Sequence, residues 1–407
     1  MGVRPDTAVK TEGVHVYFDS ECIEFKSREA WEAMCADFVR HIVLRYGAEE
    51  VGKWIFEMSC DVTHIDRSRC YRDEHYHQYN VYRYLFRTLK GRIPDIRVGV
   101  SMAAPDILEY LEEVLERSKK ENCVPDFTSV VLFPYVSYRK KEKITYRRDT
   151  YRNSELNQIS MIRSLLQKLD IDCGLYISEW NNTVSNRNYL NDSCFRAAYL
   201  VHKIRDIWDS VDMTAVWMAT DWVSNYFDTP GIANGGSGLL TKNTICKPAY
   251  YALSFLNRMG DILAGKGPGY IVTRTRRGSY YVLLYNYKWY SSNYFMEQED
   301  FGNPEKISGL FENNDPLEIR ICLENISEDA EYIIKSRSVS PKKGSLLGEW
   351  KNFGYSNDLT ENDVKYIRQG CYPRMLMNRE YAEKGRLRIQ AVLNPHEVTL
   401  IHIYKAE

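Results

Sequence analysis

The chain has 407 residues, with 54 basic against 55 acidic side chains and a hydrophobic share of 44%. That charge balance gives no electrostatic case for a nucleic-acid or anionic-membrane partner, and the ordinary composition excludes a disordered chain. The length exceeds a single ordinary core and implies two domains.

No apolar run reaches the ~18 residues of a membrane helix. The opening "MGVRPDTAVK" carries no apolar signal core, and the ten cysteines are scattered without a CxxC pair. Both features fit reduced thiols in a cytoplasmic protein. Thirty-one Tyr and eight Trp stand out. Such rings suit stacking on sugars as well as decorating strands.

Residues 28–46, "REAWEAMCADFVRHIVLRY", set Trp31, Met34, Phe38 and Ile42 on one helical face. "KWIFEMS" follows as a strand, then the helix "HQYNVYRYLFRTLKG", the strand "IRVGVS" and the helix "PDILEYLEEVLERSKK". "FTSVVLF", "CGLYIS" and "MTAVWM" are further strands, separated by the helices "ELNQISMIRSLLQKL" and "DSCFRAAYLVHKIRDIW". "KPAYYALSFLNRMG" closes this half as a helix, with Pro near its start and Gly260 past its end. Alternating short apolar strands and helices predict a parallel sheet wrapped by helices.

The count gives five secure βα units, whereas a closed (β/α)8 barrel has eight strands. The expectation is therefore an α/β, TIM-barrel-like domain over 1–264 that lacks its first one or two units. An N-terminal segment supplied by another chain, or a homo-oligomer, would then complete it. From residue 265 the pattern alternates. "GYIVTRTRRGSYYVLLYNY" reads as a hairpin turning at Arg277-Gly278, and "LEIRICLE", "EYIIKSRSV", "GRLRIQAVL" and "VTLIHIYK" continue it. Residues 265–407 are expected to form an all-β sandwich, with one short helix at 360–368 inside a turn-rich stretch at 345–384.

In parallel α/β barrels the chemistry sits on the loops after the strands. "LYISEWN" ends in Glu179, "FEMSCD" in Asp61, and "VWMATDW" carries Trp217 with Asp221 just beyond. Two carboxylates facing each other beside aromatic rings are what glycoside hydrolysis requires. An acid at a strand end also caps helices or pairs with Arg, so each alone has a structural reading too. "DEHYHQY" leads into a helix, where His75 and His77 face different ways, so no metal site is expected. The basic run "RKKEK" at 139–143 reads as a solvated loop.

"YISEWN", "GGSGLLT", "KPAYYALSFLNRMG" and "GYIVTRT" with "LLYNY", in this order, resemble glycoside hydrolase family 39. The likeness is to the bacterial branch often fused to AraC-type transcriptional regulators. It implies a (β/α)8 barrel with an accessory β-sandwich, retaining hydrolysis of β-xylosides or related short oligosaccharides, and no cofactor. It also implies Glu179 as nucleophile, Asp61 at the acid/base position, and Cys60, Tyr135, Trp180, Trp217 and Asp221 around the substrate. "WIFEMSCD" departs from the family's W-x-F-E-x-W-N-E, with Cys60 in place of Asn and Asp61 in place of Glu. In "DFTSVVLFPY", Val131 and Phe133 stand where the family has His and Tyr. Asp is shorter than Glu by one C–C bond, roughly 1.5 Å. A misplacement of about 1 Å costs on the order of 10²-fold in rate. The departures leave two readings: a glycosidase with a weakened acid/base, or a catalytically degenerate sugar-sensing module of a transcriptional regulator.

Overall fold

A computed structural model describes residues 27–58, 78–102, 108–140, 143–221 and 231–406. Helix α1 (Arg28–Tyr46) starts on Ser27, whose hydroxyl accepts the Ala30 N–H at 3.2 Å. It ends where Gly47 turns to φ 84°. Its inner face carries Trp31, Cys35, Val39 and Ile42, all buried, with Met34 and Phe38 packed alongside. The apolar spacing in the sequence predicted this face.

After a short helix α2 (Ala48–Val51), βα units follow. They are β1 (Ile55–Met58), α3 (Gln78–Arg92), β2 (Arg97–Met102), α4 (Leu108–Lys120) and β3 (Phe127–Leu132). A hairpin of β4 (Tyr135–Lys140) and β5 (Lys143–Arg148) interrupts the alternation, and α5 (Ser154–Lys168) resumes it. Next come β6 (Gly174–Trp180), α6 (Cys194–Ile207), β7 (Met213–Val216) and α7 (Pro248–Leu256). Strands β1, β2, β3, β6 and β7 form one parallel sheet in that order. It is the parallel sheet that the alternation predicts, here as a five-stranded half-barrel among the described residues. The hairpin was not expected. Arg139, Lys140 and Lys143 of the basic run read as a loop lie in these strands, and Lys140 sits opposite Lys143. Helix α7 also stops at Leu256, short of Gly260. Gly260 instead lets the chain pass close to β9 (Tyr270–Arg274), because a Cβ there would lie 2.5 Å from the Arg274 backbone.

The C-terminal part is antiparallel. One sheet has the order β13-β12-β15-β10-β9-β8, comprising β8 (Ile262–Gly267), β9, β10 (Tyr280–Tyr285), β12 (Glu331–Val339), β13 (Arg374–Tyr381) and β15 (Val398–Lys405). A ribbon of β11 (Leu317–Glu324) and β14 (Arg386–Leu393) covers part of one face, closing a core of Val282, Leu284, Ile319, Leu387 and Ile403. Strand β8 begins at Ile262, just ahead of the boundary expected at 264.

Helix α6 joins the two halves. Phe195, Tyr199, Leu200 and Ile207 pack into the core under the parallel sheet. Ala197, Ala198 and Val201 pack with Leu283, Tyr285 and Leu400 from the antiparallel sheet. Small residues on that second face let helix and sheet approach closely, so the two units share a continuous interior. Among the described residues no helix is long and apolar enough to cross a membrane.

Candidate active site

Along the parallel sheet, alternate residues face opposite ways. Phe56 and Met58 of β1, Val98 and Val100 of β2, Val130 and Leu132 of β3, and Leu175 and Ile177 of β6 enter the helix-covered core. Glu57, Gly99, Ser101, Phe127, Ser129 and Tyr176 therefore lie on the opposite, concave face. Contacts across that face agree. The Ser129 hydroxyl donates to Glu57 Oε2 at 2.7 Å. Phe127 stacks on Tyr176 with ring centroids 4.2 Å apart. Gly99 makes room for the stack, since a Cβ there would fall 2.4 Å from the Phe127 ring. Glu57, the acid inside β1, is thus a strut within the concave face.

Above this layer the register slips. Val130 pairs with Ile177, but Val131 pairs with Glu179 and Leu132 with Trp180, leaving Ser178 as the extra residue of a bulge. Strict alternation from Tyr176 would have put Trp180 on the concave face and Glu179 behind it. The bulge reverses both. Glu179 comes to the concave side beside Val131, half-buried, at the C-terminal end of β6. Trp180 becomes fully buried in the helix layer, 5.8 Å from Tyr199. The expectation of Trp180 among the residues around the substrate does not fit this burial: adjacent residues on a strand cannot both face the opening.

Trp217 follows β7. Its N–H donates to the Trp180 carbonyl at 2.8 Å, and its side chain is half-buried. The preceding Val216 pairs with core-facing Trp180, so the alternation turns Trp217 toward the side of Glu179. Arg196 of α6, fully buried, fixes this segment by donating to three carbonyls: Trp217 at 2.6 Å, Ser237 at 2.7 Å and Gly238 at 2.9 Å. Burial lowers the Arg196 pKa to about 10, so the guanidinium stays charged.

Asp221 does not face the opening. It is 4% exposed, accepts the Gly238 N–H at 3.0 Å and takes Lys247 Nζ at 2.6 Å. Lys247 also pairs with Asp192 at 2.5 Å and donates to the Gly236 carbonyl at 2.7 Å. Asp192 accepts the Gly235 N–H at 2.7 Å. Burial raises the Asp192 pKa, against the pull of Lys247. The "GGSG" loop wraps this cluster so tightly that a Cβ on Gly238 would meet the Asp221 backbone nitrogen at 2.1 Å. Asp221 is corrected from a sugar contact to a post that anchors the loop.

Tyr135 sits at the start of β4. Its hydroxyl donates to Glu299, which also accepts from Thr183 and pairs with Arg148 at 2.9 Å. Burial first, then Tyr294 and Glu299, push the Tyr135 hydroxyl well above its usual pKa. Residue Thr183 lies four positions after Glu179, so Glu299 ties the C-terminal part of the chain to the loop that follows the candidate nucleophile. Cys60, Asp61, His75 and His77 lie outside the described residues. Sequence reasoning missed Arg196, Lys247, Asp192 and Glu299. The first carried a signal, a lone charge inside the apolar helical run "CFRAAYLV".

Comparison with known proteins bears on this geometry. The family described as "Glycosyl hydrolases family 39" matches residues 2–265. A β-xylosidase from Geobacillus stearothermophilus is 24% identical over 408 residues, covering 99% of this chain and 76% of that protein. The crystal structure of the GH39 enzyme from Xanthomonas axonopodis pv. citri superposes with a TM-score of 0.80 at 20% identity, covering 100% of this chain and 79% of the other. A monomeric β-xylosidase from Caulobacter crescentus gives 0.81 at 19% identity, covering 100% and 80%. With the family matched over more than half its length, the chain belongs to glycosyl hydrolases family 39, a family of O-glycosyl hydrolases.

Proposed function

We propose that this chain is a cytoplasmic retaining glycoside hydrolase acting on β-xylosides or related short oligosaccharides. Its parallel half would belong to a (β/α)8 barrel and its antiparallel half would be an accessory β-sandwich. The observation that carries this reading is the bulge at Ser178, which turns Glu179 to the concave face at a strand's C-terminal end. The relatives named β-xylosidase support the substrate class.

In this reaction Glu179 attacks the anomeric carbon, while Asp61 protonates the departing oxygen and then takes a proton from water. Trp217 offers an apolar ring to the sugar face. The shorter arm of Asp61 makes proton delivery the weak step, so substrates with good leaving groups react best. The departures at Cys60, Asp61 and Val131 favour a second reading, a sugar-sensing module of an AraC-type regulator that binds without turnover.

The deciding experiment measures release of an aryl alcohol from an aryl β-xyloside by the wild type, Glu179→Gln and Asp61→Glu. The glycosidase reading expects turnover that Glu179→Gln abolishes. It also expects Asp61→Glu to change the rate on alkyl xylosides more than on aryl ones. No turnover, combined with calorimetric binding of xylo-oligosaccharides, would transfer the case to the sensor reading.

A further inference from the structure

Strand β13 is an edge strand of the antiparallel sheet, bonded to β12 alone among the described residues. It runs eight residues, "RMLMNREY", in unbroken register with β12, and each of the eight is exposed. Met375 is 63% exposed, Leu376 49%, Met377 57% and Tyr381 66%. A long, regular edge with apolar side chains on both faces is a template for another strand. Proteins that stay monomeric blunt such edges with Pro, bulges or inward charges. Here the nearest Pro, Pro373, lies just ahead of the strand, and the strand contains no bulge.

The charges on β13 identify the partner. Residues Arg374, Leu376, Asn378 and Glu380 share one face, opposite Ser338, Ser336, Ile334 and Tyr332 of β12. Arg379, on the other face, is taken by Glu331 at 2.9 Å, whereas neither Arg374 nor Glu380 has an ion-pair partner among the described residues. Two copies joined by a twofold axis normal to the sheet keep their faces matched only if paired residue numbers sum to an even value. A one-residue slip would oppose side chains from different faces. With Met377 on the axis, Arg374 lies opposite Glu380 of the second copy, and the reciprocal pair forms as well. Leu376 then faces Asn378, and the whole span 374–380 is paired. Centring on Asn378 sets Leu376 against Glu380, and centring on Leu376 leaves the last third of the strand unpaired.

We propose that this chain forms a closed, isologous homodimer by antiparallel pairing of β13 with β13 of a second copy, centred on Met377 and locked by two reciprocal Arg374–Glu380 ion pairs. The Caulobacter crescentus relative is described as monomeric. The pairing proposed for this chain rests on the sequence of β13 and is independent of catalysis.

Sedimentation velocity on the full chain tests it, run over roughly two decades of micromolar concentration. The wild type should show a concentration-dependent dimer. Arg374→Glu and Glu380→Arg should each weaken association about tenfold or more, because each replaces two attractive cross-strand pairs by two repulsive ones. The double variant should return to within about threefold of wild type, since the reversed charges pair again. At concentrations where the wild type is monomeric all three should keep the wild-type Tm, because both side chains are exposed. A wild type that is monomeric throughout, single variants that associate as wild type does, or a double variant no better than the singles would each overturn the proposal.

Discussion

Lys247→Met removes a buried cation while keeping most of its aliphatic volume. In the native fold Lys247 is fully buried and its ammonium lies 2.5 Å from Asp192 and 2.6 Å from Asp221, both also buried. Without it two carboxylates share a dry pocket under the "GGSG" loop. Breaking a buried pair by deleting one partner costs about 3–5 kcal/mol. The loss should depend on pH, and its sign follows from Asp192. Burial already raises that carboxyl above its unfolded pKa of 3.8, so the folded state holds its proton to higher pH than the unfolded chain does. Without Lys247 the rise is larger. The penalty is then smallest below the unfolded pKa, where both states are protonated, and grows as pH rises from there to the variant's folded pKa. Thermal and urea unfolding by circular dichroism at pH 5 and pH 7 would show a Tm lowered by several degrees at pH 7 and by less at pH 5. A variant melting within one degree of wild type at pH 7, or a loss equal at both pH values, would refute the reasoning.

Arg196→Met leaves the buried carbonyls of Trp217 and Gly238 without their donor and Ser237 with the Met218 N–H alone. It should lower stability by about 3 kcal/mol or more and reduce kcat/KM for the aryl xyloside, because Trp217 loses its anchor. Unchanged kinetics would separate Arg196 from the site. Gly99→Ala drives a Cβ to 2.4 Å from the Phe127 ring, and overpacking of this kind costs about 1–3 kcal/mol. Urea midpoints would show it, and a midpoint equal to wild type would mean the Phe127–Tyr176 stack is not tightly held.

The elements legible in the sequence are those with a clean period. The five parallel strands are short apolar runs buried on their helix side, and the paired antiparallel strands alternate. Both textures follow directly from which faces are covered. Strand β13 was not legible, because with both faces exposed "RMLMNREY" has no period to read. The hairpin of β4 and β5 was hidden because its strands carry part of the basic run. The bulge at Ser178 could not be read either. It is set by how β6 docks on β3, and it decides that Glu179 and not Trp180 faces the opening. Asp221 was found because it follows an apolar strand. Its role was misread because its partners, Lys247 and Asp192, come from distant parts of the chain.

The central claim is that Glu179 is the nucleophile of a retaining reaction. An activated 2-deoxy-2-fluoro-β-xyloside should trap its covalent intermediate, since the fluorine slows both steps and the good leaving group removes the need for Asp61. Intact-mass analysis followed by peptide mapping would then find one fluoroxylosyl group per chain on the peptide carrying Glu179, and none in Glu179→Gln. A label on another carboxylate, or no label while the aryl xyloside is still hydrolysed, would contradict the account.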